Sequence, residues 1–254
     1  MAKPRVLLYD IETAPNLVYT WGVYEQNVIE VVRHWYVLCF AYKWLDESKT
    51  HVVALPDFEE YLKNPDNDYH VIQELHNLFN EADVLIAHNG NKFDQKKVQA
   101  RFIVHGFDPP MHYRQIDTLQ VARQKFKFDS NKLNDLGTVL QAGKKVPTGG
   151  FALWLGCMEG DPKAWDKMKR YNKQDVVLLE QVYLKLRPWI SNHPDMAALA
   201  DNQAGCPKCG GFDWQKRGIK HNKTTSNQQY QCNSCKGYFY SRVAIKKSPP
   251  EFTN

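Results

Sequence analysis

Four acidic residues stand where acids are costly or conspicuous. Stepping by three and four from Met168 gives Tyr171, Asp175, Leu179, Val182 and Leu186, the face of a helix that should be buried. Asp175 interrupts that stripe, and an unpaired buried carboxylate costs free energy. Either it is a hydrogen-bonded core aspartate or a positive charge meets it. In RVLLYDIE, residues 5–12, a period of two puts Val6, Leu8, Asp10 and Glu12 on one face, so two carboxylates follow two apolar residues at a strand end. Asp94 follows DVLIAH and the turn NGNKF and opens the next helix, where backbone N–H groups and the helix dipole favour a negative charge. Taken singly, each of these placements reads equally as a cap, a turn or a strand-end salt bridge. Four acids in one place would repel one another and stay charged near neutral pH only with cations among them. An all-oxygen donor set suits Mg²⁺ or Mn²⁺ rather than zinc. Two such ions about 3.5–4 Å apart form a clamp for in-line displacement at a phosphodiester. Spacing alone does not require the four to converge.

Four of the six cysteines form a second constellation, CPKC at Cys206 and Cys209 and CNSC at Cys232 and Cys235, with 22 residues between the pairs. Two such knuckles fit one tetrahedral four-thiolate Zn²⁺ of structural type. Disulfide pairing is the competing reading, disfavoured in a reducing compartment. Cys39 and Cys157 have no such partners and read as plain thiols.

These residues need elements to hold them. The pattern predicts a first strand over 5–12, strands near 35–44 and 50–55, and a helix over 68–81. A strand over 83–88 and a helix from Asp94 to Val104 follow, then a short strand at 115–118, helical segments near 119–127 and 131–141, and a long helix from Trp165 to Leu186. Strands first and alternating elements afterwards imply an α/β fold, a mixed sheet with helices packed on it. Residues 143–161, rich in glycine and without a clear period, read as an irregular loop. Residues 191–205 read as a polar linker with at most one helical turn.

The chain has 254 residues, 43% hydrophobic and 24% charged, enough for one sizeable core and a small appended module and too few for a polymerase. The longest apolar run, WYVLCFAY at 35–42, is far too short for a membrane span. Asp10 and Glu12 interrupt the only apolar run near the N-terminus, so no secretory signal is visible and a cytoplasmic protein is expected. The formal charge of +5 is uneven. From Cys206 onward nine Lys and Arg face two acids, a net +7, leaving −2 on the first 205 residues. A basic tail on a slightly acidic body suits a protein that grips a polyanion with one part, though solvated charge explains it as well. KRGIKHNK at 216–223 and GYFYSR at 237–242 mix cations with aromatic rings that can stack on unpaired bases. Tyr230, Phe239 and Tyr240 serve equally well as the miniature core of a zinc module.

The stretch CPKCG, then KRG, then YQCNSCKGYF, resembles the zinc ribbons of transposases and transcription-associated proteins, which implies nucleic-acid contact. DIET at 10–13, HNGNKFD at 88–94 and YNKQD at 171–175 resemble, in order and separation, the three motifs of the DnaQ-like, RNase H-fold 3′-to-5′ exonucleases. Position 170 is Arg where the histidine subtype needs His, and Tyr171 stands four before Asp175. The chain therefore resembles the tyrosine-type (DEDDy) branch, and within it the proofreading domain of family B DNA polymerases. The resemblance implies an RNase H-like fold over residues 1–190, a linker at 191–205, a basic ribbon at 206–247 and a tail at 248–254. It implies hydrolysis of DNA from a 3′ end to nucleoside 5′-monophosphates with two Mg²⁺ or Mn²⁺. By the same resemblance Asp10, Glu12 and Asp175 bind the first metal, Asp10 also the second, and Asp94 helps through water. Tyr171 orients the attacking water, Thr13 and Asn89 touch the terminal nucleotide, and Phe93 packs behind the site or against a base. Asp117, in IDTL, reads as a structural or secondary substrate residue. Lys132, Lys144 and Lys145 could meet phosphates, with solvated lysine as the default. Two alternatives stay open: a 3′-to-5′ exoribonuclease of the same branch, since the motifs do not encode a 2′-hydroxyl preference, and a non-catalytic nucleic-acid-binding or regulatory protein.

Overall fold

The computed structural model describes residues 3–201 and 204–247. Met1, Ala2, linker residues 202–203 and the 248–254 tail lie outside the described residues. The chain divides into two compact units, a larger one of Arg5–Val182 and a smaller one that begins at Tyr183.

The larger unit is built on β1 (Val6–Thr13), β2 (Leu17–Tyr19), β3 (Glu30–Arg33), β4 (Val37–Trp44), β5 (His51–Ala54), α1 (Tyr69–Glu81), β6 (Val84–Ala87), α2 (Asp94–Val104), β7 (Arg114–Asp117), α3 (Thr118–Lys125), α4 (Leu133–Val139), α5 (Ala152–Met158) and α6 (Pro162–Leu186). Five strands form one mixed sheet in the order β5-β4-β1-β6-β7. β1 is central, antiparallel to β4 and parallel to β6, with Asp10 opposite Ala41 and Glu12 opposite Cys39. A central strand is covered on both faces, which is why VLLYDIET begins as a continuous apolar run. Leu7, Tyr9 and Ile11 point into the main core, where the Tyr9 ring meets the edge of Phe79 of α1 at 5.1 Å. The opposite side of β1 carries Leu8, Asp10 and Glu12, and α6 runs along it. Asn172 of α6 reaches Asp10, and Glu180 pairs at 2.5 Å with Lys43, which lies opposite Leu8.

The strands and helices expected from the pattern are present, with ends moved by up to a few residues. Two features depart from it. The stretch at 143–161 contains α5, whose Leu153 and Cys157 are buried. Residues 17–33 form a small hairpin of β2 and β3, which pair with each other. It escapes an amphipathic reading because Leu17, Tyr19, Val28, Ile29 and Val32 are apolar yet exposed, as are Trp21, Val23 and Tyr24 at its tip. No helix among the described residues is long and apolar enough to cross a membrane.

The smaller unit contains the single-turn α7 (Met196–Leu199) and a three-stranded antiparallel sheet of β8 (Trp214–His221), β9 (Thr225–Cys232) and β10 (Tyr238–Lys247), in the order β10-β9-β8. Its small core is Cys206, Cys232 and Cys235 with Cys209 and Phe239 against them. Each knuckle closes through a residue in the left-handed region just after its second cysteine, Gly210 at φ 72° and Lys236 at φ 61°. Cys206 N–H donates to Gly211 O at 2.8 Å, and Cys232 N–H donates to Gly237 O at 3.0 Å.

Candidate active site

Three of the four acids converge. Asp10, Glu12 and Asp175 each offer a carboxylate oxygen, and these oxygens lie within 4.8 Å of one another. Period two on β1 aims Asp10 and Glu12 to the same side, and the helical stripe of α6 brings Asp175 against them, 1% exposed. Asp94, at the first turn of α2, stands behind the cluster. It accepts the Ile11 N–H at 3.3 Å, which fastens its carboxylate to the backbone between Asp10 and Glu12.

Electrostatics match a crowd of half-dried carboxylates. Burial first, then repulsion from Asp94, Glu12 and Asp175, holds the Asp10 carboxyl well above its usual range. Burial and Asp175 push Glu12 up to about 8, and burial pushes Asp94 up to about 7. Burial also raises Asp175, opposed by Lys145. Without more positive charge the cluster retains protons near neutrality. Asp175 Oδ1 is buried with no hydrogen-bond partner among the described residues. Several hard oxygen donors and one orphaned buried oxygen fit a divalent cation of the Mg²⁺ or Mn²⁺ kind.

Side chains around the acids hold them in place. Asn172, fully buried, donates from Nδ2 to Asp10 Oδ2 at 2.8 Å and to the Asp10 carbonyl at 3.3 Å. The Trp154 side chain hydrogen-bonds Glu12. Tyr171, one turn before Asp175, has its hydroxyl pKa raised by burial and by Asp175, so it remains a proton donor. Lys145 arrives from the segment before α5. Its ammonium pairs with Asp175 Oδ2 and donates to the Tyr171 hydroxyl at 3.3 Å. The default of solvated lysine therefore fails for Lys145, while Lys132 and Lys144 are exposed. Asn172, Trp154 and the Lys145 pairing carry no local signal in the sequence, since their partners lie 30 to 162 residues away.

The remaining expected residues lie around this centre. Thr13 ends β1 and, with Asn16, Trp35, Lys97, Phe151 and Trp154, lines a cleft of about 570 Å³ beside Glu12. Phe93 is 40% exposed, with the Lys97 ammonium 5.3 Å from its ring. Asn89 has φ 69°, and its N–H donates to Asp117 Oδ1 at 2.9 Å. Asp117 also accepts from Asn91, Leu119 and Gln120 N–H groups. Of its two readings the structural one holds, because it shapes the turn that presents Asn89 and caps α3.

In the smaller unit all four thiol sulfurs lie within 4.8 Å of one another, with Cys206 and Cys235 at 3.8 Å and Cys209 and Cys232 at 3.6 Å. A tetrahedron of Zn–S bonds of about 2.3 Å has edges of about 3.8 Å. The four-cysteine cluster is thus compatible with a zinc ribbon, whereas Cys39 and Cys157 are buried free thiols. The Trp214, Tyr230 and Phe239 rings pack together, Trp214 edge-on to Tyr230 at 4.9 Å and Tyr230 stacked on Phe239 at 5.5 Å. Tyr230 and Phe239 are core rings, but Tyr240 is half-exposed.

A family model described as the RNase_H superfamily matches residues 7–187. The family B DNA polymerase of the hyperthermophilic archaeon Pyrobaculum calidifontis has a similar structure, at a TM-score of 0.54 and 16% identity. The match covers 88% of this chain and 32% of the polymerase, so the chain spans about a third of that protein's length. At that identity the likeness is one of fold. Among curated proteins none matches.

Proposed function

The chain belongs to the RNase_H superfamily, and from that premise we propose that it is a metal-dependent 3′-to-5′ exonuclease of the tyrosine type, cytoplasmic, acting on single-stranded or 3′-ended DNA. Superfamily membership supports nuclease chemistry in general. The convergence of Asp10, Glu12 and Asp175, with Tyr171 and Lys145 at Asp175, supports the finer reading.

In this reading Asp10, Glu12 and Asp175 hold two divalent cations, with Asp94 behind them. Such ions activate water near neutral pH and offset the charge on the attacked and leaving oxygens of a phosphodiester. The chain's own groups do the positioning. Asn172 fixes the rotamer of Asp10, and the Ile11 N–H fixes Asp94. Tyr171, kept protonated, donates toward the attacking oxygen and sets its direction. Lys145 opposes the rise that burial imposes on the Asp175 carboxyl and holds the Tyr171 hydroxyl in register with it. The terminal nucleotide lies against Thr13, Asn89 and Phe93, beside the Trp-lined cleft. The ribbon, 206–247, holds one structural Zn²⁺ on Cys206, Cys209, Cys232 and Cys235 and anchors the nucleic acid through its basic surface.

The test is a 5′-labelled single strand incubated with Mg²⁺ or Mn²⁺, with matched RNA alongside. A ladder shortening from the 3′ end and nucleoside 5′-monophosphate products are expected, both abolished in Asp10→Ala and Asp175→Ala. Undiminished cleavage in those two variants sinks the assignment, and faster cleavage of RNA than of DNA moves it to the ribonuclease alternative.

A further inference from the structure

We propose that Lys97 is a phosphate ligand, holding the phosphodiester one nucleotide upstream of the one that is cut and so setting the shortest strand the site grips well; this rests on the exonuclease reading of the same site. The cleft beside Glu12 begins at Thr13 and includes Trp35, Phe151 and Trp154 in its lining, with about 570 Å³ of space, enough for a nucleotide. Aromatic rings give a base something to stack on, but they offer nothing to a phosphate. Lys97 is the charged residue in that lining. Its ammonium stands 3.8 Å from the centre of the Trp35 ring and 5.3 Å from that of Phe93, so the side chain is aimed before a strand arrives. Trp35 is fixed in turn, because its N–H donates at 2.8 Å to Oδ1 of Asn16, another residue of the lining.

Lys97 is not an ordinary surface lysine. Lys92 and Lys96, close to it in sequence, are exposed, whereas Lys97 is half-buried. Loss of solvent lowers its pKa, and among the described residues no carboxylate pairs with its ammonium to offset that cost. Arg101, one turn further along α2 with its guanidinium 5.8 Å from the same Trp35 ring, is already committed to the buried Asp68. Lys97 is therefore the cation left at the cleft to answer an incoming anion. In the proposed reaction the cations on Asp10, Glu12 and Asp175 answer the phosphate being cut. The next phosphate along the strand falls to the cleft, where a base rests on the rings and its phosphate on Lys97.

The experiment gives the full zinc-loaded chain Mg²⁺ and two defined substrates: dTpT, whose lone phosphodiester is the one cut, and dTpTpT, whose first cut has a phosphodiester upstream. Lys97→Met keeps a flexible stem against Trp35 and removes the charge. It should lower kcat/KM for dTpTpT about tenfold, through KM, and change that for dTpT less than about twofold, while Lys97→Arg should cleave dTpTpT nearly as the parent does. In a chain carrying Asp10→Asn and Asp175→Asn, adding Lys97→Met should flatten the salt dependence of binding to labelled oligothymidylate by about 0.7 in slope. Losing a cation that has no partner should leave the urea midpoint no lower than the parent's. Equal losses on dTpT and dTpTpT, a loss confined to kcat, an unchanged salt slope or a lower urea midpoint overturns the assignment. The binding readout needs no hydrolysis. A parent chain that cuts neither substrate while its salt slope still depends on Lys97 refutes the DNA exonuclease and keeps the phosphate ligand; cleavage of both substrates indifferent to Lys97 does the reverse.

Discussion

Replacing Lys145 with Gln should reveal how the acids are kept together before any metal binds. The ammonium is 29% exposed and pairs with an Asp175 that is 1% exposed. Removing one partner of a buried pair costs about 3–5 kcal/mol. Two features lower that here. The lysine is partly solvated, and Asp175 can take up a proton, because burial already holds its carboxyl above the usual range. A deficit of about 2 kcal/mol at pH 8 is the result, or a fall of about 1 M in the urea midpoint for a slope near 2 kcal/mol per molar. The sign of two further effects is fixed. A carboxyl with a raised folded-state pKa binds more protons folded than unfolded, so acidification to pH 5.5 should shrink the deficit. Saturating Mg²⁺ supplies the missing positive charge and should shrink it too, so the variant gains more from Mg²⁺ than the parent. Urea unfolding in chelator and in Mg²⁺, at both pH values, reads all of this. A deficit of the same size in chelator and in Mg²⁺ would refute the idea that lysine and cation answer the same charge.

Asn172→Ala frees the Asp10 carboxylate and should raise the metal concentration for half-maximal activity about 10- to 100-fold, read by metal titration of DNA cleavage; an unmoved midpoint removes Asn172 from the site. His88 is half-buried, its Nε2 on the Asn131 carbonyl and its Nδ1 on the Thr118 hydroxyl, and loss of solvent lowers its pKa to about 4. A histidine depressed in the folded state costs stability as pH falls below the unfolded value near 6.5, by about 2 kcal/mol at pH 5. The pH-dependent difference in unfolding free energy between the parent and His88→Gln should show that loss against the opposing trend of the carboxylates. Lys236→Gly relieves a left-handed φ of 61° in the second knuckle and should stabilise the ribbon by about 1 kcal/mol, seen as a higher chelator concentration for zinc release.

How much of the site could be read in advance depended on whether each residue's partner was local. Asp175 was visible as an acid on a buried helical stripe, and Asp10 with Glu12 as a strand pair on one face, because periodicity reports facing. Asp94 was visible as an acid opening a helix after a strand and a turn, and Asn89 only through the motif; the structure turns the Asp94 carboxylate to the Ile11 N–H rather than into the group of three. Lys145 looked like surface charge because nothing within a helical turn of it is acidic; its partners are 26 and 30 residues onward. α5 was hidden by its seven-residue length amid glycines. The β2–β3 hairpin was hidden for the opposite reason, since its apolar residues fail to mark an inside. The mixed sheet followed from the alternation of elements, its strand order did not, and the bulge after Glu12 had no signature at all.

Asp10 and Asp175 are separated by most of the larger unit, one on its first strand and the other on its last helix. A growing polypeptide on the ribosome therefore displays two acids of the trio long before the third is synthesised. A shortened form ending before α6 lacks the third acid of the trio altogether.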